Sequence, residues 1–126
     1  MRRLTLAIFA VVTCGACYAH NPAGGPHYFG SQASQLVPVQ PTEPLPKGEA
    51  LGRPRFYEAF FDDHGRIVRF VEYANGNARS ETTYTYRADG SFEERNCHDG
   101  TLIVSVYANG KEQSSNVVRG GCAAAK

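Results

Sequence analysis

Thr83-Tyr84-Thr85-Tyr86-Arg87-Ala88-Asp89-Gly90-Ser91-Phe92 is the stretch that decides the fold. β-Branched and aromatic residues run to Tyr86, shortly before Asp89-Gly90, and an aromatic residue follows at Phe92. Asp-Gly or Asn-Gly between β-rich runs is a strong short-range hairpin signal, because glycine supplies the positive φ that a type I′ turn needs. A type I turn closing in a G1 bulge has the same need.

Working outward, the pattern recurs. Gly65, Gly76, Gly90, Gly100 and Gly110 each follow a polar residue, in Asp63-His64-Gly65, Ala74-Asn75-Gly76, Ala88-Asp89-Gly90, His98-Asp99-Gly100 and Ala108-Asn109-Gly110. Five such turns predict six strands, near 55–62, 66–73, 79–87, 91–98, 101–107 and 112–119. From residue 55 onward no glycine-free window of ten or more residues carries the i, i+3, i+4, i+7 apolar stripe of a helix. The expected fold is therefore all-β, an antiparallel meander of about six short strands joined by tight turns.

The domain predicted in this way, residues 55–122, is small, with a tail at 123–126. A domain of about 70 residues buries roughly 60% of its unfolded surface and is marginal on core packing alone, so a staple, a partner or a second layer is expected. The meander supplies one staple. The fourth strand ends at Cys97, the fifth runs away from that end of the sheet, and the sixth returns to it before Gly120-Gly121-Cys122. The glycine pair is expected to fold Cys122 inward across the fifth strand to form a disulfide with Cys97.

All seven prolines lie between Pro22 and Pro54, among Gly24, Gly25, Gly30, Ser31, Gln32, Ser34 and Gln35. Residues 20–54 accordingly read as an extended, disordered proline-rich stalk. His20 and His27 fall in it as solvated linker histidines, without further ligands at metal-binding spacing.

The N-terminus reads as an export signal over residues 1–19. Met1-Arg2-Arg3 is a cationic start, Leu4 to Val12 is apolar apart from Thr5, and Thr13 to Ala19 is rich in small residues. The apolar run is too short for the roughly 20 residues that span a bilayer. Two processing routes stand open. Gly15-Ala16-Cys17 resembles a bacterial lipobox, which implies lipidation of Cys17 and a membrane anchor; Cys17-Tyr18-Ala19 also fits ordinary signal-peptidase cleavage after Ala19. The expected location is the cell envelope, as an outer-membrane lipoprotein or in the periplasm, or else secretion. Thirteen Lys and Arg stand against twelve Asp and Glu, and loss of Arg2 and Arg3 with the signal leaves eleven against twelve. Nothing in that balance offers phosphates a cationic face, so nucleic acid is not an expected partner.

Phe60-Phe61-Asp62-Asp63-His64-Gly65-Arg66-Ile67-Val68-Arg69 and the stretch quoted first form an irregular internal repeat. Both units resemble the YD repeat of Rhs-type bacterial surface and secreted proteins, which runs aromatic-Asp-x-x-Gly-Arg-Leu and Tyr-Thr-Tyr-Asp-x-x-Gly. The likeness covers roughly residues 55–110 and departs at Arg87 and Ser91. It implies an exported β ribbon with a binding or structural role, without the large shell and cargo of full-length Rhs proteins.

Chemistry offers little to an enzyme reading. Cys97-His98-Asp99 has catalytic residue types, but adjacent strand residues point to opposite faces, so Cys97 and His98 are not expected to pair as nucleophile and base. Asp62, Asp63 and His64 lack the alternation of a calcium loop and read as turn residues. No catalytic residue, metal ligand or cofactor is assigned. The aromatics Phe56, Tyr57, Phe60, Phe61, Phe70, Tyr73, Tyr84, Tyr86, Phe92 and Tyr107 are expected to pack as cross-strand pairs, with some left as an exposed strip for a glycan or an envelope protein. The expected function is non-catalytic binding; self-association of the sheet into an oligomer is the alternative, and a small secreted hydrolase is a third.

Overall fold

The computed structural model describes residues 22–33 and 35–122. Residues 1–21, which hold the expected export signal, Cys17 and His20, and the tail from residue 123 lie outside the described residues. Eight strands form one open antiparallel sheet in the order β2-β1-β3-β4-β5-β6-β7-β8. They are β1 (Gly24–Ala33), β2 (Gln40–Leu45), β3 (Arg55–Phe61), β4 (Ile67–Ala74), β5 (Asn77–Tyr86), β6 (Phe92–His98), β7 (Thr101–Ala108) and β8 (Lys111–Arg119). A single helical turn, α1 (Lys47–Leu51), separates β2 from β3.

From β3 to β8 the sheet is the expected meander, each strand pairing with the next. Its turns are of two kinds. Asn75-Gly76, Asp99-Gly100 and Asn109-Gly110 take positive φ at both residues, the geometry of a two-residue type I′ hairpin. At Gly65 and Gly90 only the glycine is positive, and paired backbone bonds close a longer loop: Asp62 N–H to the Arg66 carbonyl and Gly65 N–H to that of Asp62, then Arg87 N–H to Ser91 and Gly90 N–H to Arg87. These two are type I turns with a G1 bulge.

The expectation of a disordered stalk is overturned. Residues 24–33 and 40–45 are strands, and β1 is inserted between β2 and β3. The prolines fall at a register shift, on the edge strand or at the ends of elements. Pro26 lies in the register shift between Gly24 and His27, Pro41 and Pro44 are on the edge strand β2, and Pro46 caps α1. Pro38 and Pro54 lie between elements. The composition that suits a free stalk thus also suits a sheet edge.

This segment widens the sheet by two strands and covers part of both its faces. On one face, here face A, Phe29 of β1 joins Tyr57, Ala59, Phe61, Ile67, Phe70 and Tyr84 in the main core, with Val39, Tyr86 and Phe92 packed against it. Phe61 and Ile67 reach that face together because the ladder slips between Phe60 and Phe61. On the opposite face, face B, Val71 is 1% exposed, and Phe56 stacks on Tyr73 at 4.9 Å between ring centroids. There α1 contacts β1 and β3 with Ala50 fully buried. Both faces of the N-terminal half are thereby covered. The C-terminal half is not: β8 is exposed at every residue.

Candidate functional site

Face A carries a row of aromatic rings that crosses three strands. Tyr84 and Tyr86 alternate with Thr85 on β5, and the register places Tyr86 opposite Phe92 and Phe92 opposite Tyr107. The rings follow one another at 6.4 Å for Tyr84 and Tyr86, 5.8 Å for Tyr86 and Phe92, and 5.2 Å for Phe92 and Tyr107. Tyr84 is buried, whereas Tyr86, Phe92 and Tyr107 remain half-exposed. Cross-strand pairing holds the Tyr86, Phe92 and Tyr107 rings side by side.

The chain between β1 and β2 passes over this row and makes two concavities. Residues 38–41 on one side and the turns at Gly65 and Gly90 on the other enclose an open groove of about 810 Å³, floored by Phe61, Ile67, Tyr86 and Phe92. Arg66 is the one charged side chain among its described lining residues. The guanidinium lies 4.4 Å above the Tyr86 ring, and its Nε donates to Asp62 Oδ2 at 2.8 Å. The Tyr86 hydroxyl donates to the Ile67 carbonyl at 2.6 Å, and burial pushes it up to about 12. Tyr86 is thus a fixed, neutral platform under a cation.

Beside the groove, beneath Leu36 and Val39, lies a smaller polar cavity of about 200 Å³. Gln32, Glu72, Ser80, Thr82, Glu94 and Asn96 give it hydrogen-bonding groups. Asn96 Nδ2 donates to Thr82 Oγ1 at 2.7 Å, and Glu72 meets Arg55 at 3.3 Å. Val39 lines both spaces, and Tyr84 lines the smaller one. The Tyr84 hydroxyl donates to Glu94 Oε2 at 2.7 Å and accepts the Val39 N–H at 3.1 Å, tying the overlying chain to the sheet. Burial and the Glu94 carboxylate together raise the Tyr84 hydroxyl well above the ordinary phenol range.

The residues singled out in the sequence take different places. Asp62 is a turn residue: its Oδ1 accepts the N–H groups of His64 and Arg66, both at 2.9 Å. Burial would raise its carboxyl, but these bonds and the Arg66 guanidinium hold it below the usual range. His98 Nδ1 contacts the Arg79 carbonyl at 3.0 Å and Nε2 the Asp99 carboxylate at 3.2 Å, on face A. Cys97 points to face B. Burial, with Cys122 as a hydrogen-bonding neighbour, pushes the Cys97 thiol up, which opposes formation of a nucleophilic thiolate. Cys97 and Cys122 are both free thiols here, brought together but not bonded. His27 is in β1, with its buried Nε2 unpartnered and its ring 5.9 Å from Phe61.

No family model, curated protein or solved structure matches the chain. Gln32, Leu36, Pro38 and Val39 are the site residues that sequence reasoning missed. The apolar Leu36-Val37 and Val39 within an otherwise polar, proline-rich stretch were the available signal.

Proposed function

We propose that this chain is a small exported module of the bacterial cell envelope that binds a ligand, without catalysis, on face A beneath residues 36–41. The observation that carries this reading is the open groove with half-exposed aromatic rings, a guanidinium at its rim and a polar cavity beside it. Such a surface suits a ligand that is itself amphipathic, with apolar C–H faces and hydrogen-bonding edges. A glycan of the envelope has that chemistry. The export signal supports the location, and Cys17, if acylated, supplies the membrane anchor. The shared turn geometry of the units at Gly65 and Gly90 supports kinship with YD-repeat proteins.

Retention of the mature chain on insoluble cell-wall glycan tests the proposal. The wild type should co-sediment with the glycan, and Tyr86→Ala with Phe92→Ala should abolish this while the protein stays folded by circular dichroism. Equal retention of the two, or no retention of the wild type, would remove the glycan reading.

A further inference from the structure

The two edges of this sheet are built differently. β2 carries Pro41 and Pro44, which lack an N–H, so its free edge is a poor template for another strand. β8 is nine residues long, contains no proline and is exposed throughout. After Arg119 the chain turns at Gly120 and crosses back over Leu102 of β7, and among the described residues no strand pairs with the outer edge of β8 from Lys111 to Arg119. Val117 and Val118 stand 64% and 46% exposed there, beside Ile103 at 37%. An edge of this length with unpaired N–H and C=O groups is a pairing site.

A bulge in β8 indicates what pairs with it. Arg119, Val117 and Ser115 lie opposite Thr101, Ile103 and Ser105, and so share face A. In a regular strand Gln113 would come next on that face. The register shift between Val106 and Tyr107 instead puts Glu112 opposite Tyr107, so Glu112 shares the face of Arg119 at the other end of the strand. Consider two copies of β8 running antiparallel about a two-fold axis at Asn116. Arg119 of each copy then lies opposite Glu112 of the other, twice by symmetry, and Val117 lies opposite Ser115 and diagonal to the second Val117. An axis at Ser115 would set Glu112 against Val117, and an axis at Val117 would leave Glu112 beyond the paired strands. Only the axis at Asn116 uses the full strand and matches both charges.

We infer that this chain pairs with a second copy of itself, β8 against β8, antiparallel about Asn116. The sheets of the two copies become continuous. The outer edges of the assembly are then both β2, blunted by proline, so association stops at the dimer. The pairing leaves the face A groove untouched, since its lining comes from residues 38–41, 61–67 and 86–92. Its failure would therefore leave the binding proposal standing.

Sedimentation equilibrium of the mature chain over a concentration series tests the inference. The wild type should approach twice the monomer mass. Glu112→Arg or Arg119→Glu alone sets like charges opposite each other at both ends of the ladder and should raise the dissociation constant roughly tenfold or more. The double variant E112R/R119E exchanges the two charges and should restore wild-type association; Glu112→Gln should weaken it less than Glu112→Arg. Both positions are exposed, and circular dichroism verifies that each variant is folded. A wild type that stays monomeric, single reversals that leave association unchanged, or a folded double variant that does not recover would each overturn the inference.

Discussion

Cys97 and Cys122 meet although β7 lies between the strands that lead to them. Cys97 is opposite Leu102 of β7, and Gly121 passes over that same Leu102, where an added Cβ would sit 3.0 Å from the leucine Cβ. Gly120 makes the turn at φ 70°, Gly121 permits the close approach, and Cys122 arrives as a hydrogen-bonding neighbour of the Cys97 thiol. The Gly-Gly pair thus carries Cys122 across β7 to the neighbourhood of Cys97, and both thiols are free in the structure.

In an oxidising compartment the two should join. Closing this loop would stabilise the domain by about 3 to 4 kcal/mol in the chain-entropy model. Thiol titration of the unreduced, purified protein should find no free cysteine, and reduction should lower the melting temperature. Two freely reacting thiols in the oxidised native protein would show that the sheet folds without this staple.

Tyr84 should govern both the overlying chain and the alkaline limit of the fold. Tyr84→Phe removes the acceptor of the Val39 N–H and the donor to Glu94 from a residue 5% exposed, and should cost about 1 to 3 kcal/mol. The folded hydroxyl titrates above the unfolded phenol value of about 10, so its contribution is complete below that pH and is lost as pH rises above it. Denaturant unfolding at a series of alkaline pH values should show a shallower decline for Tyr84→Phe than for the wild type.

Substitution of turn glycines separates the two parts of the chain less sharply than composition implies. Gly90→Val and Gly110→Val force a β-branched residue to φ 86° and 71° and should each cost about 1 kcal/mol or more. Gly24 would be freely replaceable in a disordered stalk, but it sits at φ 78° within β1, so Gly24→Val should also destabilise. Thermal melts of the three variants test this.

How far the fold could be read follows from what each segment shows locally. The turns at Gly65, Gly76, Gly90, Gly100 and Gly110 carry their geometry in adjacent residues, so β3 to β8 were legible to within about two residues at each end. β1 and β2 were not. Their strand character comes from non-local contacts of Phe29 and Val39 with a core built mainly of later residues, while the neighbouring prolines speak locally for an extended, unpaired chain. The site suffered with them. Tyr86 and Phe92 were visible as strand aromatics, but the groove exists only because residues 38–41 pass over them.

The proposed lipidation of Cys17 is tested separately. If Gly15-Ala16-Cys17 is processed as a lipobox, the wild type should partition into detergent and carry a diacylglyceryl mass increment, and Cys17→Ser should leave it soluble or unprocessed. A mature N-terminus at His20 would instead indicate cleavage after Ala19 and a soluble exported protein.

Titration of the isotopically labelled mature protein with soluble fragments of cell-wall glycan, followed by two-dimensional NMR, tests the central claim most directly. Ligand-dependent shifts should concentrate on Val39, Gln40, Arg66, Tyr86 and Phe92, and Tyr86→Ala should suppress them. Shifts confined to face B or to the β8 edge, or none at saturating glycan, would contradict a ligand site on face A.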